Sequence, residues 1–376
     1  MNLNKLSLRD FRNYEVLDLE FDPGVNLIVG NNAQGKTNLL EAIGYLGSGK
    51  SFRAMKSSEM VRFGAEFADC EGAIFSQERE QTLRWVIFSS SRPRQIYRNG
   101  AKKKTAADIA GVLQTVLFCP EDLMILKAGA SARRRLGDQA LCQLRPNYEA
   151  ALSEYGRILE QKNRILKDRF ENPGIADILP EYNNRLCQVG ALLISYRARF
   201  YEGLGKAAAV YHDHFSGGNE DFHLEYHTVS TVTDPFAPVA VLRDQLMEHL
   251  LSHERAELES AQCLTGPHKD DFVVSLSGID LKAYGSQGQT RTAAISLKLA
   301  QRELMGRESG EIPVLLLDDV LSELDPGRQD FVLNQISQGQ VFITCCEKER
   351  FTKLGKTIEV NKGKVVSYHG CERRQE

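Results

Sequence analysis

The fold of this chain is decided by the stretch Gly30-Asn31-Asn32-Ala33-Gln34-Gly35-Lys36-Thr37. It matches the pattern Gly-x-x-x-x-Gly-Lys-Ser/Thr, in which two glycines let the backbone curl so that successive N–H groups point at phosphate oxygens. The apolar run Val25–Val29 precedes it, and apolar residues at helical spacing follow it. Because strand, glycine-bounded loop and helix follow in this order, we predict that Gly30–Asn38 binds the phosphates of a nucleotide.

Two kinds of side chain near this loop are expected to carry chemistry. Lys36 can reach the β- and γ-phosphates and assist catalysis, and the Thr37 hydroxyl can ligate Mg²⁺. Far along the chain, the apolar run Leu315-Leu316-Leu317 ends in Asp318 and Asp319. A buried strand that ends in acid delivers a carboxylate to the metal. We therefore expect Asp318 to bind Mg²⁺ and Asp319 to be the catalytic residue that orients the attacking water.

A second glycine-containing loop precedes another predicted helix, with the sequence Ser286-Gln287-Gly288-Gln289. It could cradle a second anion or be a plain helix N-cap. Since one nucleotide needs only one phosphate-binding loop, an anion site this far along the chain suggests a γ-phosphate held from the other side, by another subunit.

Composition limits the class of protein. The chain has 376 residues, 42% hydrophobic and 26% charged, with a net charge of −3. That balance indicates a globular protein of more than one domain and excludes a uniformly basic nucleic-acid binder, although a local basic face remains possible. The eight cysteines form no Cys-x-x-Cys pair, and no apolar run or leader indicates a membrane or secreted protein. We expect a cytoplasmic protein with reduced thiols.

The pattern along the chain predicts a split α/β protein. Antiparallel strands are expected over residues 60–104, with a turn at Asn99-Gly100. Two long helices are expected between about 130 and 215, separated by a break at Asn172-Pro173-Gly174. The remaining expected elements are a strand around residues 222–226, helices over 239–264 and 287–305, strands over 314–317 and 341–344, and a frayed end over 372–376.

These motifs, in this order, resemble the ABC-type ATPases of the SMC class and, within that class, the RecF family of bacterial recombination mediators. The resemblance extends to Leu6–Tyr14, Phe118–Leu123, Arg133–Arg135, Thr265–Asp271 and Pro313–Asp325. It implies an SMC-like ATPase head over 1–128 and 263–376, interrupted by a helical arm over 129–262. The chain departs from the wider ABC pattern in three places: the shortened signature at 286–289, Asp319 in place of Glu, and Cys345-Cys346 without a switch histidine.

The resemblance also implies a function. ATP and Mg²⁺ would bind as above, Asp325 would contact the nucleotide, and Ser286–Gln289 of one subunit would cap the ATP of the other. The ATP-induced homodimer would bind duplex DNA beside single-stranded gaps, and weak, DNA-stimulated hydrolysis would release it. With RecR and RecO, the family helps RecA onto strands coated by single-strand binding protein, in DNA repair, replication-fork maintenance and the SOS response.

Two alternatives belong to other classes. The first is the ATPase subunit of an ABC transporter, against which the strands at 60–104 and the inserted arm both argue. The second is an architectural SMC-like protein that binds DNA without turnover, and a phosphate-release assay would separate it from an ATPase.

Basic and histidine residues outside the motifs leave further questions open. A DNA-binding face is one interpretation, and a solvated hairpin edge the other, for the basic run Arg92, Arg94, Arg98, Lys102, Lys103 and Lys104. Arg133–Arg135 lie at a helix start, where cations need partners, so they have either a structural or a sensing role. His268 could sense nucleotide or cap a turn. His212 and His214 are expected to be exposed rather than metal ligands.

Overall fold

The computed structural model describes residues 1–336, 338–346 and 354–369, and it confirms the predicted α/β class. The expected fraying of 372–376 lies outside the described residues. The strands are β1 Asn2–Phe11, β2 Tyr14–Glu20, β3 Val25–Val29, β4 Phe67–Ser76, β5 Arg79–Phe88, β6 Gln95–Arg98, β7 Ala101–Lys103, β8 Thr115–Phe118, β9 Phe222–His227, β10 Asp271–Leu276, β11 Ile279–Asp280, β12 Val314–Asp318, β13 Val341–Cys345, β14 Lys356–Asn361 and β15 Lys364–His369. The helices are α1 Lys36–Ser48, α2 Ala130–Leu144, α3 Pro146–Asp168, α4 Leu179–Ser216, α5 Val239–Ser260, α6 Leu281–Tyr284, α7 Gln287–Ser309 and α8 Pro326–Gln335.

The chain divides into two compact units. The first comprises Met1–Met124 and Ala294–Glu376, and the second comprises Ile125–Ala293. The second unit therefore also takes in residues 263–293, including the Ser286–Gln289 loop, which the sequence analysis assigned to the head. The boundary at 293/294 falls inside α7, so this one helix contributes residues to both units.

A mainly parallel sheet carries the nucleotide-loop strand in the first unit. Its strand order is β15-β14-β3-β13-β12-β8, with β14, β3, β13, β12 and β8 parallel and β15 antiparallel at one edge. All five residues of β12 and of β13 are buried. Continuous apolar runs suit this position, because the central strands of a parallel sheet are covered on both faces.

The other sheet of the first unit is antiparallel, with strand order β2-β1-β4-β5-β6-β7. Along β4, buried and more exposed residues alternate, as expected for a sheet with one face on the core. Asn99 and Gly100 join β6 to β7 with φ angles of 51° and 74°. Both angles lie in the left-handed region that a tight hairpin turn requires, so the predicted turn is confirmed.

Helix α1 packs against both sheets and forms the centre of the core. Its buried side chains include Leu39, Leu40, Ile43 and Leu46, the residues at helical spacing in the sequence. Gln340 joins the sheets at another point, because its side-chain amide exchanges two 2.8 Å hydrogen bonds with the backbone of Leu3.

The second unit combines α2–α5 with a three-stranded sheet of order β11-β10-β9. The two long helices expected on either side of the break are confirmed as α3 and α4, but the range from 130 also holds a separate helix, α2. Arg145 has an extended backbone (φ −131°, ψ 99°) and ends α2, and Pro146 opens α3, where the missing N–H costs nothing. The predicted break at 172–174 is confirmed, whereas α5 ends at Ser260 rather than at 264.

Two general expectations can be compared with the described residues. The seven described cysteines are free thiols. No described helix combines the length and the apolar character that a membrane crossing requires.

Candidate functional site

The nucleotide loop, Gly30–Thr37, has a backbone conformation at Gly35 that favours glycine. Gly35 precedes α1 with φ 120°, and a Cβ there would lie 2.7 Å from the Asn13 side-chain nitrogen. Ala33 adopts a left-handed φ of 62°. Glycine is thus required at position 35 for its backbone angle, and a Cβ there would also press on the Asn13 side chain in the turn between β1 and β2.

The turn between β1 and β2 and the turn between β14 and β15 hold this loop in place. The Tyr14 hydroxyl donates to the Gly35 carbonyl at 2.9 Å, and Asn13 Nδ2 donates to the Gln34 carbonyl at 2.9 Å. The Gly363 N–H donates to the same Gln34 carbonyl at 2.9 Å. Asn38 Nδ2 in turn donates to Asn13 Oδ1 at 2.8 Å. Since the loop carbonyls are bonded on the outside, the curled backbone is preorganised for an anion on the inside.

Lys36 is buried at the start of α1, only 4% exposed. Its ammonium donates to the carbonyls of Gly30 at 2.8 Å and Asn31 at 3.2 Å, so the cation is held inside the loop. The third contact is with Cys346 Sγ at 3.2 Å, and that thiol also donates to Asn32 Oδ1 at 3.0 Å. The residue at the switch position of the pattern, where histidine was missing, therefore touches the nucleotide loop through its sulfur.

Thr37 and Asp318, the two residues predicted to share a metal ion, lie in hydrogen-bond contact. Thr37 Oγ1 donates to Asp318 Oδ1 at 3.0 Å, and Thr344 Oγ1 donates to the same oxygen at 2.8 Å. Burial raises the pKa of Asp318, and the two hydroxyl donors act against this rise. A carboxylate and a hydroxyl are hard oxygen ligands, which fit Mg²⁺.

Asp319 follows at the end of β12 in a left-handed conformation, with φ 49°. Its N–H donates to Thr344 Oγ1 at 2.8 Å, and its carbonyl accepts a 2.6 Å bond from Ser322. Thr344, on the neighbouring strand β13, thus fixes both aspartates with one hydroxyl. Thr344 lies on the strand predicted over 341–344, but no sequence signal marked it as part of the site.

An open cleft of about 420 Å³ lies over the nucleotide loop, lined by Asn32–Asn38, Arg53 and Asp319. Arg53 is a residue of the cleft that the sequence motifs did not indicate. Its guanidinium donates to Asn38 Oδ1 at 3.0 Å, and its backbone N–H donates to Ser51 Oγ at 2.9 Å. The cleft therefore offers two cations, Lys36 and Arg53, and the Asp319 carboxylate to a nucleotide polyphosphate and its metal, while Asp318 is hydrogen-bonded to the cleft residue Thr37.

The signature loop, Ser286–Gln289, has a reciprocal cap at the start of α7. The Gln289 N–H donates to Ser286 Oγ at 3.2 Å, and the Ser286 N–H donates to Gln289 Oε1 at 3.0 Å. This arrangement is a capping box, with Gln289 three residues after Ser286. Ser286 and Gln287 are exposed, and Gly288 and Gln289 are half-buried. The plain N-cap interpretation is thus satisfied, while the Ser286 side chain stays accessible from solvent.

Asp325 is the N-cap of α8 and accepts from the Arg328 N–H at 3.1 Å. The Arg328 guanidinium also contacts this carboxylate, and its hydrogen bond holds the pKa of Asp325 below its usual range. Asp325 is exposed. A nucleotide contact by Asp325 stays a prediction.

The basic run of the β5–β7 region separates into two groups. Arg94 donates to the Tyr45 hydroxyl at 3.1 Å and lies 4.8 Å from the centre of a Trp85 ring, and Arg98 donates twice to Gln81 Oε1, at 2.7 and 3.1 Å. Arg98 thus packs against a neighbouring strand, and Arg94 packs between α1 and β5. The exposed members are Arg92, stacked on Phe88, together with Lys102 and Lys104, while Lys103 is half-buried.

The other open residues are explained by contacts inside the second unit. Arg133 is 2% exposed and makes two bonds to Asp271, at 2.6 and 2.7 Å, so the cation at the start of α2 is paired. Arg134 donates to the Asp270 carbonyl at 2.6 Å. His268 contacts the Tyr155 hydroxyl at 2.7 Å, and burial lowers its pKa to about 4. His268 is therefore uncharged at neutral pH and makes structural contacts within the second unit.

The expectation that His212 is exposed is wrong, because its ring is fully buried and lies 2.8 Å from the Glu220 carboxylate. His214 is exposed as expected. No group of three potential metal ligands of the His, Cys, Asp or Glu type occurs in the part of the chain that the structure describes.

Comparison with known proteins gives the family. Residues 2–367 match the family model described as the RecF/RecN/SMC N terminal domain. A protein of Agathobacter rectalis named DNA replication and repair protein RecF is 38% identical over 377 residues, which cover 97% of this chain and 99% of that protein. The protein of the same name from Bacillus subtilis is 38% identical over 347 residues, covering 92% and 93% of the two chains.

Solved structures give the same picture. The recombination mediator protein RecF in the RecFOR pathway, with ATPrS, is similar at 35% identity and a TM-score of 0.90, covering 97% of each chain. The Smc head domain of Pyrococcus furiosus, with 18% identity and a TM-score of 0.56 over 99% of this chain and 97% of that one, is similar in fold alone.

Proposed function

This chain belongs to the RecF family, and from that premise we propose that it is an ATP-dependent DNA-binding recombination mediator. The observation that carries the proposal is one cleft lined by Lys36, Thr37 and Asp319, with Asp318 hydrogen-bonded to the Thr37 hydroxyl at 3.0 Å. These are the groups that hold a nucleoside triphosphate and its metal in phosphate-binding-loop ATPases.

In the proposed ATP site, each side chain of the cleft has one task. Lys36 leaves the loop carbonyls to bind the β- and γ-phosphates, and the backbone N–H groups of Gly30–Asn38 face the phosphate oxygens. Thr37 and Asp318 would hold Mg²⁺, which supplies positive charge against the phosphates. Asp319 orients the attacking water and accepts its proton. With Asp in place of Glu, this carboxylate reaches less far, so we expect slow hydrolysis.

The proposed active form is a homodimer that ATP induces. Ser286 is accessible at the N-terminus of α7, where the helix dipole favours an anion. The Ser286–Gln289 loop of one subunit would therefore cap the γ-phosphate bound by the other, and Asp325, at the N-terminus of α8, would lie close to that junction.

The proposed DNA contacts come from a local basic face, because the whole chain has a net charge of −3. Arg92, Lys102 and Lys104 are the exposed cations of the basic run. Arg94 and Arg98 are instead hydrogen-bonded to Tyr45 and Gln81. Dimerisation brings two such faces together, so ATP should strengthen DNA binding. Phosphate contacts do not read bases, which suits a protein that recognises a duplex beside a gap.

The cellular role follows from the family. The protein would work with RecR and RecO and so help RecA replace single-strand binding protein in DNA repair, replication-fork maintenance and SOS induction. Its place of action would be the cytoplasm.

Two variants test this proposal. Ser286→Arg puts bulk and charge at the expected γ-phosphate contact, so ATP-dependent dimers should disappear in sedimentation while monomers bind a fluorescent ATP analogue normally. Asp319→Asn should keep ATP bound and slow phosphate release by about 10²-fold. Parental turnover by Asp319→Asn would remove the catalytic assignment. If the parental protein releases no phosphate above background, with or without DNA, an architectural DNA binder is favoured instead.

The DNA face is tested by salt titration. Replacing Arg92, Lys102 and Lys104 by Ala should reduce the slope of log affinity against log salt by up to roughly three units per subunit, equally for unrelated sequences. An identical slope would place the DNA site elsewhere on the protein.

A further inference from the structure

The signature loop is tied to a buried histidine through one carboxylate. Glu220 Oε1 accepts from Gln289 Nε2 at 2.7 Å, and Glu220 Oε2 faces His212 Nε2 at 2.8 Å. Both bonds lie inside the second unit. The hydrogen bonds from Gln289 and His212 hold the pKa of Glu220 below its usual range, so the carboxylate is charged and accepts at both oxygens.

The geometry fixes which nitrogen of His212 donates. A charged carboxylate can only accept, so Nε2 must carry the proton that it donates. Nδ1 is buried and has no hydrogen-bond partner among the described residues. Nε2 is therefore the nitrogen that bonds Glu220, and this bond sets the orientation of the ring.

The backbone of Glu220 is also held in place. Helix α4 ends at Ser216, and Gly217 follows in a left-handed conformation with φ 66°. On the other side, the Asp221 N–H donates to Ser277 Oγ at 3.2 Å, and the Ser277 N–H donates to the Asp221 carbonyl at 2.8 Å. Glu220 thus projects from a short segment that is fixed at both ends.

The Gln289 side chain connects Glu220 to Ser286. The Gln289 amide has one carbonyl oxygen, bonded to the Ser286 N–H, and one NH₂ group, bonded to Glu220. Turning the amide over would place its NH₂ against the Ser286 N–H and its oxygen against the carboxylate, and both contacts would be repulsive. Ser286 Oγ accepts from the Gln289 N–H, so its own proton remains able to donate to an anion.

We propose that Glu220, oriented by His212, is the positioning residue of the signature loop. It fixes the Gln289 amide and, through the capping box, holds Ser286 in the conformation that donates to the γ-phosphate of the second subunit. The inference rests on the proposed function, because it assigns a task to Glu220 only if the signature loop meets that nucleotide.

The test compares ATP-dependent dimerisation of the full chain in six proteins, the parent and five variants, by analytical ultracentrifugation with ATP and Mg²⁺. Glu220→Gln keeps the size of the side chain but presents an NH₂ group to one of its two donors. We expect its dimer to be about tenfold weaker or more, with monomer ATP affinity unchanged. Glu225→Gln is the matched control, since Glu225 is an exposed carboxylate on the adjoining strand β9, and it should dimerise like the parent.

A double-mutant cycle separates positioning from a general structural role. Gln289→Ala leaves the Glu220–His212 bond in place and should weaken the dimer as much as Glu220→Gln does. If Glu220 acts through Gln289, the double variant is no weaker than Gln289→Ala alone. Losses that multiply in the double variant, or a parental dimer of Glu220→Gln, would overturn the inference.

Ser286→Arg, measured in the same experiment, separates a failure of the positioning role from a failure of the proposed function. If it abolishes the dimer while Glu220→Gln dimerises like the parent, only the positioning role fails. If Ser286→Arg itself dimerises like the parent, the proposed function fails, and the positioning role with it.

Discussion

Thr344→Val removes the one hydroxyl that holds both aspartates of the candidate ATP site. In the structure this oxygen donates to Asp318 and accepts from the Asp319 N–H, each at 2.8 Å. A hydrogen bond to a charged group contributes about 1.5–3 kcal/mol, and a buried N–H left without an acceptor costs about 1–3 kcal/mol. Because the contacts share one atom and part of the loss can relax, we expect the free energy of unfolding to fall by about 2–4 kcal/mol.

The effect on turnover should exceed the effect on binding. Asp319 has a left-handed backbone and loses the bond that fixes its N–H, so its carboxylate can shift relative to the attacking water. A displacement of about 1 Å can cost about 10²-fold in rate. We therefore expect phosphate release at saturating ATP to fall by about that factor, while ATP affinity without Mg²⁺, which depends on the phosphate-binding loop, stays close to parental.

The assays are urea unfolding and steady-state phosphate release, with Thr344→Ser as the matched control. Serine keeps the hydroxyl and loses only a methyl group, so its turnover should stay near the parental rate. Parental stability and turnover in Thr344→Val would refute the view that this hydroxyl organises the site, and an equal loss in Thr344→Ser would assign the effect to packing.

Three further predictions follow from single contacts. Lys36→Met should weaken ATP binding tenfold or more, measured with a fluorescent analogue, because it removes a charge-assisted contact with the phosphates. Asp318→Asn should abolish Mg²⁺-dependent turnover yet raise the thermal midpoint of unfolding at neutral pH. Burial raises the pKa of Asp318, so ionisation of this carboxyl group costs stability as the pH rises through its folded pKa. The gain in the variant should therefore vanish in acid. Asp271→Asn should lower the free energy of unfolding in urea by about 3–5 kcal/mol, because Arg133 is buried and would lose its carboxylate, and a loss below about 1 kcal/mol would contradict this reading of the pair.

The elements found from sequence are those that local pattern determines. The phosphate-binding loop is contiguous, with its glycines, lysine and threonine at fixed spacing, and the strand before Asp318 is a continuous apolar run. The hairpin turn at Asn99-Gly100 needs left-handed angles that few residue pairs accept. In each case the signal lies within about ten residues, so neighbouring side chains alone carry it.

The groups that sequence reasoning missed are brought together by the order of strands. Thr344 meets Asp318 because β13 lies beside β12, and nothing in the local sequence of either strand states this neighbour. Glu220 meets Gln289 across 69 residues of sequence, so no local pattern states this contact either. His212 is different, because a signal existed: Leu204, Ala208 and His212 repeat every four residues and share the buried face of α4. Reading that periodicity would have placed the histidine inside.

The strand order also dictates when, during synthesis, an ATP site can exist. Both neighbours of β3 in the sheet, β13 and β14, come from the C-terminal end of the chain. The strands β1, β2, β4, β5, β6 and β7, by contrast, all lie before residue 104, so they can pair with one another early in synthesis. The nascent chain thus carries its nucleotide loop beside a strand with two open edges until almost the last residues emerge. A truncated product would therefore contain the loop sequence and be unable to bind ATP.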